Sequence, residues 1–226
     1  MMSYCFFTAL VMSSVIGAAE IVDWCPKTDG LMQSSRELIL ASHNHLRSTL
    51  ALGTIRSRNG KSLGPAADMK EMTYDCKLEE QALNWAQRCV FEHSKNDGHT
   101  YGENLYAFYP GRRYKLKQRK VIMNATTDWW NEHQTRVVFD GNLPVLKEKL
   151  FLMGGGHFTQ MAWAETDRLG CGYHFCKPQN MALFVCLYQP AGNWLGEMVF
   201  SPGAACSRCP ESHPICDELD GLCKIK

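Results

Sequence analysis

The ten cysteines that follow residue 19 constrain the fold of this chain more than any other feature. The sequence has eleven cysteines in 226 residues, and one of them, Cys5, lies in an apolar N-terminal run. The even number that remains favours disulfides in an oxidising compartment over zinc ligation by cysteine. Each disulfide would contribute roughly 2 to 4 kcal/mol, mainly by restricting the unfolded chain. The ten are Cys25, Cys76, Cys89, Cys171, Cys176, Cys186, Cys206, Cys209, Cys216 and Cys223.

Residues 1–19 have the composition of a secretory signal peptide, although the usual basic start is missing. Their apolar, small-residue run ends at Val15-Ile16-Gly17-Ala18-Ala19, and no Lys or Arg precedes Lys27. We predict cleavage near Ala19 and a secreted, extracellular protein. The run is too short to span a membrane, and no later segment approaches the roughly 18 to 20 uninterrupted apolar residues of a transmembrane helix.

The charge of the chain gives no electrostatic reason to expect nucleic-acid binding, because the formal net charge is only +1. A local exception is the segment from Arg112 to Lys120, which has six cationic residues within nine positions. Such a segment could meet heparin-like glycans or anionic lipid. A solvated loop before a helix is the simpler interpretation, and we favour it.

The mature chain is predicted to form one domain, residues 20–200, followed by a tail, residues 201–226. The composition changes near Ser201-Pro202-Gly203. Beyond it, the pattern Cys206-x2-Cys209-x6-Cys216-x6-Cys223 places four cysteines among few large apolar residues. Since such a tail cannot build a core of its own, we expect a disulfide-stapled module.

Apolar residues that recur every three to four positions predict two helices in the N-terminal half. The first should begin at Ser34, with Glu37 completing a capping box, and should end near Gly53. The second should follow Asp75 and direct Cys89 at the core.

A third helix is predicted from about Val121 to Val138. Glu132 lies on its mostly apolar stripe, together with Trp129. Burying an unpaired charge is costly, so Glu132 should have a partner, and a histidine or a metal would suit it. The alternative is a surface position at the edge of the stripe.

Two later segments read as a β-hairpin. Apolar residues alternate over residues 169–175 and again over residues 183–187, and Lys177-Pro178-Gln179-Asn180 separates them. Helices first and strands later predict an α+β fold, in which helices cover an antiparallel sheet.

Four short motifs, in this order and spread over about residues 30 to 200, are specific enough to indicate a family. They are His43-Asn44-His45-Leu46-Arg47, Gly102-Glu103-Asn104-Leu105, Gly156 to Trp163, and Phe184 to Trp194. The chain resembles the CAP superfamily, which groups cysteine-rich secretory proteins, insect venom antigen 5 proteins and plant pathogenesis-related proteins. Cys25 and the short tail make it most similar to the activation-associated secreted, or venom allergen-like, proteins of parasitic nematodes. Leu187 departs from the last motif, which usually has a polar residue there.

The resemblance implies a three-layer α-β-α sandwich with an antiparallel sheet and a short disulfide-rich C-terminal tail. It also implies a disulfide pairing that the spacing alone leaves open. The implied pairs are Cys89 with Cys176, Cys171 with Cys186, Cys25 with Cys76, Cys206 with Cys216, and Cys209 with Cys223.

The resemblance further implies a cleft lined by four residues, His93, Glu103, Glu132 and His157. Neutral imidazole is the commonest zinc ligand, and a carboxylate can ligate the metal or orient the imidazole. We expect His93 and His157 to be the ligands of a weak zinc site, because structural and catalytic sites use more protein ligands. His43, on the packed face of the first helix, is expected to be a hydrogen-bonded core residue.

Catalysis is not expected, and we assign no catalytic residue. A metal-bound water with Glu103 as base could in principle cleave an ester or peptide. The chain has neither an HExxH nor a GxSxG motif, and no cysteine is left as a free nucleophile. The resemblance likewise points to a family in which enzymatic activity is not the rule.

Lipid binding is the function we expect, since the resemblance implies that some members bind sterols in a flexible loop and others bind a fatty acid between two helices. The segment from Val137 to Leu152 is rich in apolar residues, and Pro144 and the run Gly154-Gly155-Gly156 make it bendable. A loop packed over the core is the alternative. The predicted lipid contacts are Val137, Val138, Phe139, Leu143, Val145, Leu146, Leu150, Phe151 and Leu152.

A second possibility is an immunomodulatory interaction protein that engages a host receptor, a leukocyte or a complement component without lipid. The host-parasite interface would be its place of action in either case, as a monomer or a weak homodimer. Asn124-Ala125-Thr126 is an N-glycosylation sequon at the start of the third helix, and it is our candidate for a glycan.

Overall fold

The computed structural model describes residues 23–26, 30–95, 101–111 and 117–226. The predicted signal peptide and Arg112, Arg113 and Lys115 of the basic segment lie outside these residues. The helices are α1 Gln33–Ala51, α2 Cys76–Ala86, α3 Gln118–Thr135, α4 Glu148–Leu150 and α5 Gly156–Met161, with a π-helical turn Phe151–Gly155 between the last two. The strands are β1 Ile55–Arg56, β2 Ser62–Leu63, β3 Thr73–Tyr74, β4 Gly102–Phe108, β5 Arg168–Cys176, β6 Met181–Gln189, β7 Ile215–Asp217 and β8 Leu222–Lys224.

The central sheet has the strand order β3-β5-β6-β4 and is mostly antiparallel. The predicted hairpin is confirmed, because β5 and β6 pair antiparallel with Cys171 opposite Cys186. β4 pairs antiparallel with the other edge of β6, and the short β3 lies parallel to β5. β6 is therefore central, and every residue from Met181 to Tyr188 is buried.

Helices cover both faces of this sheet, which confirms the three-layer α-β-α sandwich. α2 packs against one face, where Leu78 and Ala82 meet Leu183 and Val185. α1, α3 and α5 cover the opposite face, where Trp129 stacks on Phe184 with ring centroids 5.7 Å apart. Alternate residues of β6 thus enter two separate cores, as the period-two geometry of a strand requires.

The close approach of α2 to the sheet depends on glycine. A Cβ atom added at Gly172 of β5 would lie 2.2 Å from the backbone nitrogen of Leu83. No side chain can occupy that space, so this strand position brings the helix backbone onto the sheet.

The predicted start of the first helix is wrong by one residue, and the predicted cap is absent. α1 begins at Gln33 behind Met32, whose side chain makes no capping hydrogen bond. Glu37 instead accepts a hydrogen bond from Gln33 Nε2 at 3.2 Å. The helix ends at Ala51, and Gly53 follows with φ +70°, which agrees with the predicted end.

The second and third helices differ more from the predictions. α2 follows Asp75 as expected, and the Asp75 side chain caps it by accepting from the backbone nitrogens of Lys77 and Leu78. The helix ends at Ala86, however, so Cys89 reaches the core from the turn beyond it, at φ 57°. α3 begins and ends three residues earlier than predicted, at Gln118 and Thr135.

Five disulfides staple the chain, and they join the pairs that the resemblance implies. They are Cys25–Cys76, Cys89–Cys176, Cys171–Cys186, Cys206–Cys216 and Cys209–Cys223. The last two hold the tail, which contains the small β7–β8 ladder. Leu222 of this tail is inserted into the main hydrophobic core. The tail is thus attached to the larger unit by packing as well as by the chain.

In the part of the chain that the structure describes, no helix is both long enough and apolar enough to cross a bilayer.

Candidate functional site

The first pair of the predicted cleft joins β4 to the segment after α2. His93 Nδ1 lies 2.8 Å from Oε1 of Glu103. The same carboxylate oxygen accepts a hydrogen bond from the backbone nitrogen of Ser94 at 2.9 Å. The imidazole side chain is 68% exposed and the carboxylate 5% exposed, so a buried acid orients a solvent-facing base.

The second pair joins α3 to α5. His157 Nδ1 lies 2.7 Å from Oε1 of Glu132, and Oε2 accepts from the backbone nitrogen of Phe158 at 3.0 Å. Glu132 therefore has the histidine partner that its place on an apolar stripe predicts. The imidazole of His157 is stacked on Trp129, with centroids 5.8 Å apart.

The two pairs share one geometry. In each, the carboxylate accepts from the histidine Nδ1 and from the backbone nitrogen of the residue that follows the histidine. Because a carboxylate only accepts, Nδ1 of each ring is the donor, and Nε2 takes no part in this bond. This is the arrangement in which a carboxylate orients a histidine for a metal.

A buried chain of hydrogen bonds supports the site from behind. His43 Nδ1 donates to the Ile39 carbonyl at 2.8 Å, so its Nε2 accepts from the Tyr188 hydroxyl at 2.9 Å. Asn104 Nδ2 donates to the Tyr188 oxygen at 3.3 Å and to the His157 carbonyl at 3.2 Å. Burial, with a smaller contribution from the charge of the nearby Arg47, lowers the pKa of His43 to about 4. His43 is thus a neutral core residue, as expected.

Arg47 ties the first motif to the third. Its guanidinium is fully buried and donates to the carbonyls of five residues. These are Lys70, Met161, Trp163, Ala164 and Thr166. Burial lowers the pKa of Arg47 to about 9, so the group stays charged at neutral pH. It holds the segment after α5 against α1.

An open cavity of about 650 Å³ lies at the first pair. Its lining includes His93 and Glu103, but neither His157 nor Glu132. The structure therefore brings each histidine to its carboxylate without gathering all four residues around one cavity. The other lining residues are Ser94, Tyr101, Gly102, Phe151, Gln160, Ala191, Gly192, Asn193 and Trp194.

Sequence reasoning named the motifs that contain several of these lining residues but assigned them no role. Gln160 accepts from the backbone nitrogen of Gly192 at 3.0 Å, and Asn193 donates to the Gly156 carbonyl at 2.9 Å. Both close the cavity wall. Their membership of the third and fourth motifs is the signal that could have identified them.

Two observations test whether a metal fits. Oε2 of Glu103 is buried and has no hydrogen-bond partner in the structure as described, so a cation or water would satisfy it. The second observation argues against a site closed by three or four protein ligands. Among His93, Glu103, Glu132 and His157, no three ligand atoms lie within 4.8 Å of one another. Tighter cysteine-containing groups exist, but their cysteines are disulfide-bonded and cannot ligate a metal. Two histidines without a closed set of protein ligands would give an open and weak site.

The predicted lipid-binding segment divides into an inner and an outer set. Val137, Leu146 and Leu150 are buried in the main core, where they hold the segment down, and their role as lipid contacts stays a prediction. Leu143 and Phe151 are exposed, and Leu152 is 77% exposed. Val138, Phe139 and Val145 are half-buried.

The glycosylation sequon lies on α3. Asn124 is half-buried, and Thr126 is buried with its hydroxyl donating to the Ile122 carbonyl at 3.1 Å. In the folded protein the sequon hydroxyl is therefore engaged, and glycosylation of Asn124 remains a prediction.

Comparisons with known proteins agree with this architecture. The model of the family "CAP: Cysteine-rich secretory protein family" matches residues 40–188. Ancylostoma secreted protein of Ancylostoma caninum is 35% identical over 203 residues, 88% of this chain and 46% of that protein. Scoloptoxin SSD976 of Scolopendra dehaani is 32% identical over 226 residues, 95% of this chain and 94% of that protein. The chain spans about half the length of several curated relatives.

Solved structures show the same relationship. The crystal structure of NaASP2 with Zn2+ has a TM-score of 0.79 and 38% identity, covering 88% of this chain and 100% of that chain. BmVAL-1 has a TM-score of 0.81 and 31% identity, covering 89% of this chain and 98% of that chain. With the sandwich, the disulfides and the four motifs in place, this chain belongs to the CAP family of cysteine-rich secretory proteins and resembles its nematode venom allergen-like members.

Proposed function

We propose that this protein is a secreted, non-enzymatic CAP protein that binds a lipid at its exposed apolar surface and acts at the interface with a host. The observation that carries the proposal is a row of exposed apolar side chains on the π-helical turn, which begins at the cleft. Phe151 is 45%, Leu152 77% and Met153 40% exposed. Exposed groups of this size in a row mark a binding surface more often than a solvated one.

A second exposed segment extends the same surface. Trp194 is 58% and Leu195 56% exposed. Phe151 and Trp194 line one cavity, and Val145 forms a β-bridge with Met198, so the two segments are neighbours. Together they offer apolar side chains suited to contact a lipid chain or ring system.

Secretion is supported by chemistry and by relatives. Five disulfides are stable only where thiols are oxidised. The relatives include proteins named as secreted and as venom proteins. Both agree with the predicted signal peptide, residues 1–19.

The surroundings of Ser94, beside the first pair, agree with a non-enzymatic role. Ser94 is the hydroxyl nearest in sequence to the first pair, yet its Oγ is buried without a hydrogen-bond partner in the described structure. His93 binds Glu103 through Nδ1 and does not contact that hydroxyl. A serine nucleophile needs a base within hydrogen-bond reach.

The lipid proposal is tested by saturable binding of labelled cholesterol and labelled palmitate, with unlabelled competitor. Leu152→Ser should weaken binding about tenfold, because a buried leucine contributes roughly 1.5 to 3 kcal/mol. Leu219→Ser is the matched control, since Leu219 is 91% exposed but lies in the tail. Equal losses in both variants would show that the surface is not the site.

For the metal, we propose that His93 and His157 bind Zn2+ weakly, with Glu103 and Glu132 orienting them. A bound Zn2+ would supply positive charge at the cleft, and the unsatisfied Glu103 oxygen and a zinc-containing related structure support it. Removing both imidazoles by His93→Ala and His157→Ala should abolish zinc binding in a titration, whereas the exposed His45→Ala should not. Since ligating imidazole must be deprotonated, affinity should also fall on acidification. Unchanged affinity in the double variant would remove the proposal.

An alternative is that the cleft recognises a host protein rather than a lipid. Its favouring observation is the size and openness of the cavity at His93, about 650 Å³, with Trp194 exposed at its wall. Exposed tryptophan is common where proteins bind each other. Activity of delipidated protein on host leukocytes, unaffected by Leu152→Ser, would favour this alternative.

A further inference from the structure

A second cavity lies on the other side of the π-helical turn from the cleft. It has a volume of about 200 Å³. Phe151 lines the cleft and Met153 lines the second cavity, so this turn separates the two. The lining residues are Arg136, Val138, Asp140, Val145, Lys147, Lys149, Leu150 and Met153.

Three cations meet in this cavity without an ion pair. Among residues 23–26, 30–95, 101–111 and 117–226, no carboxylate lies within 4.0 Å of the charged groups of Arg136, Lys147 or Lys149. Asp140 is the single carboxylate residue of the lining, which leaves an excess of two positive charges (three minus one). Uncompensated like charges around a concave surface attract an anion.

Arg136 is exposed, but the π-helical turn holds one of its guanidinium nitrogens. Its Nη1 donates to the Met153 carbonyl at 3.3 Å. It also lies beneath Gly154, where an added Cβ atom would be 2.5 Å from the same nitrogen. The glycine, at φ +82°, thus lets the turn close over the guanidinium. A positioned guanidinium loses little side-chain entropy when it binds a carboxylate or phosphate.

The floor of the cavity is apolar. Leu150 is buried, and Val138 and Val145 are half-buried. Met153 leads out of the cavity to the exposed Leu152 and Phe151. Cations at the rim and apolar groups along one exit match a molecule with an anionic head and a hydrocarbon chain.

We propose that this cavity binds the anionic head group of a single-chain lipid, a carboxylate or a phosphate monoester, with the chain along Met153, Leu152 and Phe151. The inference rests on the proposed lipid-binding function and narrows its ligand. A sterol hydroxyl is neutral and gains little from three cations. The cavity therefore selects for charge at the head group.

The experiment compares lipids with one chain and different heads. Equilibrium binding is measured for palmitate, for hexadecanol as its neutral counterpart, and for palmitoyl lysophosphatidic acid. The variant is Lys147→Gln with Lys149→Gln. Its matched control is Lys177→Gln with Lys226→Gln, two exposed lysines away from the cavity that give the same net charge.

We expect palmitate to bind at least tenfold more tightly than hexadecanol, the effect of about one charge-assisted hydrogen bond. The Lys147/Lys149 variant should lose about tenfold in palmitate affinity with unchanged hexadecanol affinity, and the control should match the wild type. Tighter binding of lysophosphatidic acid than palmitate would identify phosphate as the preferred head, and the reverse order carboxylate.

Two results would overturn the inference in distinguishable ways. Equal affinity for palmitate and hexadecanol, or unchanged palmitate affinity in the Lys147/Lys149 variant, would remove the head-group site while leaving lipid binding intact. A lack of saturable binding for all three lipids and for cholesterol would remove the proposed function as well.

Discussion

Acidification should destabilise this protein through one buried imidazole, that of His43. The ring is completely buried, donates from Nδ1 to the Ile39 carbonyl, and accepts at Nε2 from Tyr188. Burial holds its pKa at about 4 in the folded protein, against 6.5 for an ordinary histidine. A proton on Nε2 would also break the bond from Tyr188.

The sign and size follow from proton linkage. Between pH 6.5 and pH 4 the unfolded chain binds a proton at His43 that the folded protein refuses, so stability falls as the pH falls through this window. At about 1.4 kcal/mol per tenfold change in proton affinity, the difference from 6.5 to 4 is worth about 3 kcal/mol. This is a large share of the roughly 5 to 15 kcal/mol by which domains are stable.

The assay is urea unfolding at several pH values from 7 to 4, with the disulfides intact. His43→Gln keeps an acceptor for Tyr188 but cannot titrate, so its free energy of unfolding should fall about 3 kcal/mol less than that of the wild type. His45→Gln makes the same chemical change two residues away on the exposed side and should follow the wild-type curve. The buried imidazoles of His133 and His213, whose pKa values are also lowered, cancel in the comparison. The reasoning would be refuted if the free energies of unfolding of wild type and His43→Gln fell in parallel with pH. NMR spectra that showed a charged His43 ring at pH 5.5 would refute it as well.

Two further predictions concern the scaffold. Arg47→Met should lower the free energy of unfolding by about 3 to 5 kcal/mol, because it leaves buried carbonyls without donors. Its control, Arg58→Met at an exposed position, should change stability by less than about 0.5 kcal/mol, and denaturant unfolding of both variants measures the difference. Gly172→Ala should lower the thermal midpoint, at a cost of about 1 to 3 kcal/mol, since its Cβ would overlap the Leu83 nitrogen. Gly111→Ala, which has nothing within 4 Å, should be neutral, and equal melting of both variants would contradict the packing argument.

Apolar residues that alternate along the sequence predicted the sheet well, because this alternation follows directly from which side chains of a strand are buried. Alternation over residues 169–187 located the β5–β6 hairpin, and the whole of its second strand is buried. The predicted α1 cap is absent because the helix begins at Gln33, which places Ser34 inside its first turn, and the neighbouring Ser35 bonds to Gln118 of α3 at 2.8 Å. A contact 83 positions away in sequence is invisible to a rule about neighbours.

The two histidine–carboxylate pairs were predicted as types of residue but not as pairs. The family resemblance placed His93, Glu103, Glu132 and His157 in one cleft, and the structure shows that Glu103 pairs with His93 and Glu132 with His157. Each pairing depends on a backbone nitrogen beside the histidine, a feature that side-chain identity does not encode. The lipid segment was harder still, because apolar composition does not tell Leu150, in the core, from Leu152, on the surface.

The motif residues mostly build the scaffold, and this shifts the search for function away from them. His43, Arg47, Asn104 and Gln160 are all buried and hydrogen-bonded. The imidazole of His93, beside this framework, is in contrast 68% exposed. The segment from residue 136 to residue 153 belongs to no motif, yet it supplies the three unpaired cations and the exposed apolar row. Since a scaffold shared by a family cannot by itself distinguish ligands, the specificity of this chain should lie in the segment that the motifs leave free.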